Sequence, residues 1–218
     1  MLVDPAPHDG IRCRNMTSTQ SQSGLPHSSA TSSLAEASAR ERLLRAAAEL
    51  FCRFGINATG VDAVVAAAGT AKATLYKSFG SKEGLIEAVL EMEGAAWRDW
   101  LLMRIEQTPG DATDKLLGIF DALEGWFGDA RFFGCPFINA VGEFDKRDTR
   151  LKEIALQHKM VVLARIEDLA RDAGSVDPAA TAHQFGLIVD GAIVAALITS
   201  DPTVARHARA VAAKLLAS

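Results

Sequence analysis

The chain has 218 residues, of which 49% are hydrophobic and 23% charged, with a formal net charge of -4 at pH 7. That length suits one helical domain with a full core or two small ones, and the balance is ordinary for a soluble globular protein. It excludes a protein that is basic throughout, while the scattered Cys13, Cys52 and Cys135 give no sign of a disulfide framework or a structural zinc site.

Alanine and leucine dominate and β-branched alternation is scarce, so the expected class is all-α. The net charge averages over unlike regions. Residues 38–84 carry seven Lys/Arg against four Asp/Glu, or +3, whereas from Leu85 onward fourteen bases face twenty acids, or -6. A basic N-terminal unit on an acidic body suits local contact with a polyanion. The first residues lack the apolar run of a signal peptide, because Asp4, Pro5, Pro7 and Asp9 interrupt it. The longest apolar stretch, about Ile188 to Ile198, contains Asp190 and reads as too short to span a bilayer. A cytoplasmic protein with no membrane partner is expected.

Residues 1–34 hold almost no large apolar side chains and read as a disordered tail, with Arg12 and Arg14 in a solvated extension rather than a DNA-touching arm. Residues 35–84 are expected to form a small head. Its first helix runs from about Leu34 or Glu36 to Phe54, with Leu43, Leu44, Ala47, Leu50 and Phe51 at helical spacing and Gly55 ending it. A second helix spans about Val61 to Ala68, Gly69 supplies a tight turn, and a third spans about Lys72 to Phe79. Leu75 and Phe79 lie one turn apart on its inner side, leaving Lys72, Ala73, Thr74, Tyr76 and Lys77 outward or near its start. Two helices meeting at a glycine turn, the second polar outside, are how a protein presents side chains to a DNA groove.

Residues 85–218 are expected to form a larger helical body for ligand binding and dimerisation. Ser81 caps a long helix to about Glu106, and TPGD at 108–111 breaks it. Further helices are expected at about Ala112–Phe127, Pro136–Phe144, Thr149–Ala173, from Asp177-Pro178 to Ser200, and from Asp201-Pro202 to Leu216.

The run FCRFGINATGVDAVVAAAGTAKATLYKSFGSKEGL, Phe51 to Leu85, resembles the TetR family of transcriptional regulators. Phe51, Gly55, Thr59, Gly69, Thr74, Leu75, Tyr76, Phe79, Ser81, Lys82 and Glu83 stand in register with the family pattern, without a gap. The resemblance implies a homodimer that binds a palindromic double-stranded operator and lets go when a small molecule enters the C-terminal region. It implies DNA contacts from Thr59 and Lys82 to phosphate, and from Lys72, Ala73, Thr74, Tyr76 and Lys77 on the recognition helix. Hydroxyls, ammonium groups and helix N-termini are the usual phosphate anchors. The chain departs from the pattern at Gly60, Thr70, Ala71, Ala73 and Lys77-Ser78. Gly60 and Ala71 remove side-chain caps, leaving Thr59 or Asp62 to compensate in the second helix.

Among the aromatics, Trp97, Trp100, Trp126, Phe127, Phe132, Phe133 and Phe137 are candidates to line an apolar cavity; Trp97, Trp126, Phe133, Phe137 and Cys135 are the ligand-contact candidates. Cys135 precedes a helix start, where a thiol acidifies, but a small residue packed near a pocket mouth is the favoured reading. Cys52 reads as core. His158 and His183 lack metal-ligand partners at i, i+4 and read as surface or interface residues. Asp190 needs a partner in its apolar run, with Arg206 or Arg209 of a second subunit as one arrangement. The penultimate helix is apolar on most faces, so Phe185, Val189, Ile193 and Leu197 are expected at a dimer interface. With no nucleophile motif, metal cluster or phosphate-binding glycine loop, no catalytic residue, metal or cofactor is assigned. The expected function is a ligand-responsive repressor and not an enzyme. The alternative is a ligand-sequestering protein or helical enzyme whose N-terminal unit does not bind DNA.

Overall fold

The computed structural model describes residues 38–144 and 149–217, so the expected tail over 1–34 and any helix before Ser38 lie outside the described residues. Among these there are nine helices and no strand: α1 (Ala39–Phe54), α2 (Val61–Ala67), α3 (Lys72–Phe79), α4 (Lys82–Gln107), α5 (Ala112–Phe127), α6 (Pro136–Glu143), α7 (Arg150–Asp172), α8 (Pro178–Thr199) and α9 (Val204–Leu216). The all-α expectation holds, and the helix ends fall within a few residues of those expected because the capping chemistry is local.

Ser38 and Glu41 close a reciprocal box at the start of α1, with Ser38 Oγ accepting the Glu41 N–H at 3.2 Å and the Glu41 carboxylate accepting the Ser38 N–H at 2.7 Å. Asp111 and Asp114 do the same for α5 at 3.0 Å each way. Ser81 Oγ accepts the Gly84 N–H at 3.1 Å, and Asp177 accepts the Ala180 N–H at 3.0 Å ahead of Pro178. Neither α2 nor α3 has a side-chain cap, so Thr59 and Asp62 do not compensate for Gly60.

Two hydrophobic clusters form. The head cluster joins Leu43, Phe51, Val64 and Leu75 to the first turns of α4 and to Phe137, Ala140 and Leu151 from α6 and α7. The body cluster joins the second half of α4, from Trp100 to Ile105, to α5, α7, α8 and α9 around Phe120 and Phe185. One 26-residue helix, about 39 Å long, therefore carries both cores. The expected division after Gly84 falls at the entrance to this shared helix, not in a linker.

Helix α8 departs from expectation twice. Taken whole, its best window has a mean hydropathy of 1.5, long and apolar enough by length and composition alone to cross a membrane. A core helix meets the same criterion, and here Ala182, Phe185, Val189, Ala192, Ile193 and Ala196 are buried against this chain's own helices. Phe185, Val189 and Ile193, expected at a dimer interface, are thus buried within this chain; of that set only Leu197 is exposed. The outward stripe is instead Leu187, Gly191, Val194 and Ile198, at helical spacing of four, three and four residues.

Thr59 is also corrected. It is 3% exposed, and its hydroxyl donates to the Gly55 carbonyl at 2.7 Å with the Leu50 carbonyl at 3.3 Å. The hydroxyl ties the turn after α1 to the end of that helix and does not reach solvent, where a phosphate would lie. Replacing Thr59 with Val is expected to cost about 1–3 kcal/mol in chemical denaturation, because buried carbonyls lose their donor, while Thr59→Ser keeps most of the stability. A Val variant as stable as the parent but weaker on DNA would return Thr59 to phosphate contact.

Candidate nucleic-acid interface and body cavity

Helix α3 stands on Leu75, which is fully buried, and on Phe79, over whose ring the Arg40 guanidinium lies 5.0 Å from the centroid. Gly69, at φ 59, makes the turn between α2 and α3, a backbone region that disfavours a side chain. Arg42 Nε donates to the Ala68 carbonyl at 3.1 Å and closes the end of α2 from the α1 side. These contacts leave Lys72, Ala73, Tyr76 and Lys77 exposed on one side of α3, with Thr74 half-buried beside them. Lys72 Nζ lies 3.0 Å from Asp62, and that hydrogen bond raises its pKa. Both ends are exposed, so water screens the pair and Lys72 stays accessible as a cation. Lys82, by contrast, donates from Nζ to the Ile56 carbonyl at 2.8 Å and braces the α1–α2 turn.

That turn has a second brace from the other end of the molecule. The Glu143 carboxylate at the end of α6 accepts the Asn57 N–H at 2.8 Å, and Asn57 Nδ2 donates to the Glu143 carbonyl at 2.7 Å. No sequence pattern pointed to this pair, 86 residues apart.

Helix α6 also forms one wall of a half-open cavity of about 400 Å³ between α4, α5, α7 and α8. Of the ligand-contact candidates, Trp97, Trp126, Cys135 and Phe137 line it. Phe133 does not: it is half-buried in the loop before α6, its carbonyl accepting Asn139 Nδ2 at 2.9 Å. Trp100, Phe127 and Phe132 pack in or against the body core behind the wall. Val189 and Ile193, expected outside, line the cavity from α8.

Polar groups are few in the wall, and their placement is specific. His158 is buried, not at the surface as expected, and stacks on Phe137 with centroids 4.1 Å apart and planes at 18°. Its Nδ1 lies 2.9 Å from Arg98 Nη1. Burial first, and Arg98 second, lower its pKa to about 4, so the ring is neutral at physiological pH. Burial raises the pKa of Glu93 in the same wall. Asp190 pairs with Lys159 of α7 within the chain; Arg206 and Arg209 bind Glu124 and Asp121 instead, correcting the expected partners. Burial likewise outweighs the helix start at Cys135 and pushes its thiol up, leaving it protonated. Cys52 is pushed up to about 12 by burial. Neither thiol has the acidity of a reactive cysteine. His183 is exposed, with Nδ1 2.8 Å from the Ala179 carbonyl. Among the described residues no group of three or more His, Cys, Asp or Glu is placed to hold a metal.

Comparison with known proteins agrees with both halves. Residues 43–89 match the family model described as bacterial regulatory proteins, tetR family, and residues 112–212 match the tetracyclin repressor-like C-terminal domain. The HTH-type transcriptional repressor KstR2 of Mycolicibacterium smegmatis is 34% identical over 135 residues, which is 58% of this chain and 62% of that protein. An uncharacterised HTH-type transcriptional regulator of Bacillus subtilis, YvkB, is 35% identical over 79 residues, 36% of this chain and 40% of that protein. The chain thus matches less than two thirds of the length of either curated relative. The crystal structure of a TetR-family transcriptional regulator from Streptomyces coelicolor superposes with a TM-score of 0.75 at 28% identity, covering 82% of this chain and 94% of that one. With a head and a body that each match the family and a fold shared along most of its length, the chain belongs to the TetR family of transcriptional regulators.

Proposed function

We propose that the chain is a homodimeric, cytoplasmic repressor that grips a palindromic operator through α3 and releases it when a small molecule fills the cavity. The observation that carries the DNA half is the exposed face of α3, where Lys72, Tyr76 and Lys77 project together from a helix anchored by Leu75. Ala73 and Thr74 complete this reading surface, and the uncapped N–H groups at the start of α3 add phosphate donors. Thr59 and Lys82 support the turn behind it rather than touch DNA. The relative from Mycolicibacterium smegmatis, named as a repressor, supports the sign of regulation. On this reading the chain is a switch and not an enzyme.

The second subunit packs on the outward stripe of α8. Leu187 and Ile198 are 73% and 76% exposed there, and the space around Gly191 is open, which lets a facing helix approach closely. Val211 extends the apolar surface onto α9.

The cavity couples to the head through α6. Phe137 and Val141 face the ligand space, and the same helix ends on the Glu143–Asn57 hydrogen bonds. A ligand that displaces α6 strains this latch and shifts the α1–α2 turn, which carries the α3 reading surface with it.

Three outcomes test this reading. Changing Lys72, Tyr76 and Lys77 together to Ala should abolish operator binding in a gel-shift assay, and single lysine changes should flatten the log–log salt dependence by about 0.9 per lost phosphate contact. No DNA preference of the parent across a random library would overturn it in favour of a sequestering protein. Introducing Glu at Leu187 and Ile198 should halve the mass seen by light scattering without unfolding the chain, since both residues are already at the surface.

The third concerns pH. The folded chain keeps His158 neutral down to a pKa of about 4, whereas the unfolded chain takes up that proton near the ordinary value of 6.5. Between these values the unfolded state binds more protons, so stability falls as pH drops, by ~3 kcal/mol in all. Melting curves of the parent should show this loss between pH 7 and pH 4 and those of His158→Phe should lack it.

A further inference from the structure

We propose that the cavity is built for a neutral, largely apolar molecule carrying one carbonyl-class oxygen, held by one N–H donor of the wall, His158 Nε2. The inference rests on the reading of this cavity as the effector site and names the chemistry of its ligand.

The tautomer of His158 follows from its neighbour. An arginine side chain has donors and no acceptor, so the Arg98 Nη1 contact at 2.9 Å makes Nδ1 the acceptor and puts the ring proton on Nε2. The ring cannot easily turn away, because it is stacked on Phe137 at 4.1 Å and lies 5.6 Å from the Trp97 ring. Among the described residues no acceptor meets Nε2. The guanidinium charge behind Nδ1 polarises the imidazole and strengthens Nε2–H as a donor.

Trp97 adds an apolar ring beside it and no donor. Its Nε1 is closed to a water-sized group from the cavity side as well as from solvent, so a ligand oxygen does not reach it. His158 Nε2–H is thus the ring donor that this wall offers to a ligand carbonyl.

Most of the remaining wall is apolar, which disfavours a charge lodged against it. Lys159 and Asp190 neutralise one another, Lys152 is exposed where the wall meets solvent, and burial disfavours the charged form of Glu93. A cation would lie close to the Arg98 guanidinium behind His158. A volume of about 400 Å³ admits a small polycyclic or medium-chain molecule.

The test uses the full chain and Prodan, a neutral naphthyl ketone whose emission reports hydrogen bonding at its carbonyl. The three tryptophans of the chain form one cluster at the cavity, so quenching of their emission reports occupancy without DNA. Prodan is expected to quench them. His158→Phe, which keeps the ring stack, and His158→Met should each weaken binding about tenfold. The deoxygenated propyl analogue should bind the parent about tenfold more weakly than Prodan and be indifferent to either substitution. Circular dichroism identifies a variant that has not folded, and the other variant then decides.

No binding of Prodan to the parent, unchanged binding in a folded variant, or tighter binding of the anionic dye anilinonaphthalene sulfonate would overturn the proposal. Operator binding is measured separately on the parent. Its absence would remove the regulator reading and leave the cavity chemistry standing, whereas intact operator binding with indifferent variants would remove the chemistry alone.

Discussion

The ring of Phe137 is the constraint on which the two halves of this molecule depend. It is 4% exposed and counted in the core of the head, yet it also lines the cavity of the body and stacks on His158. It fits only because α4 has no side chain at Gly94: a Cβ there would lie 2.6 Å from Phe137 Cζ. Close-packed interiors do not deform continuously, so a side chain with a foot in both cores transmits displacement rather than absorbing it. The head and body meet through this contact, through α4 and through the Glu143–Asn57 hydrogen bonds, not across a flexible linker.

What was legible in the chain is what is decided locally. Gly69, Ser81, Asp111 and Asp177-Pro178 mark turns and caps whose chemistry acts within four residues, and α3 runs from Lys72 to Phe79 as the spacing implied. Side-chain destinations over longer distance were not legible. Thr59 occupies the family position, but only the folded turn shows that its hydroxyl is spent on Gly55 and Leu50. In α8 the apolar residues surround the axis, so periodicity could not say which face meets this chain's own core. Phe185, Val189 and Ile193 follow one spacing inward, while Leu187, Val194 and Ile198 follow another outward. His158 carried no local signal at all, because its meaning comes from Arg98 and Phe137 on two other helices.

Charge is organised by the same division. On the head, Lys72 and Lys77 of α3 and Arg40 and Arg53 of α1 are exposed, while Arg42 and Lys82 are turned to backbone carbonyls. Arg40 and Arg53 each lie over an aromatic ring, which leaves the two α3 lysines as the exposed cations beside Tyr76. The cavity shows the reverse treatment: His158 is neutral, burial disfavours the charged form of Glu93, and Asp190 is matched by Lys159.

The magnitude of the proposed switch follows from the latch that carries it. Asn57 and Glu143 share two hydrogen bonds at an exposed site. Such bonds contribute about 0.5–1.5 kcal/mol each, so breaking both provides roughly 1–3 kcal/mol of coupling. That range corresponds to about 5–150-fold in affinity, the span usual for linked sites. A latch of buried ion pairs would lock the head too firmly for a modest ligand to move, and van der Waals contact alone would let it drift without one. Two solvent-accessible hydrogen bonds between a cavity helix and the turn behind α3 lie between these extremes. The binding free energy of a small apolar molecule is then large enough to pull α6 from the turn, and its loss is small enough for the head to reset.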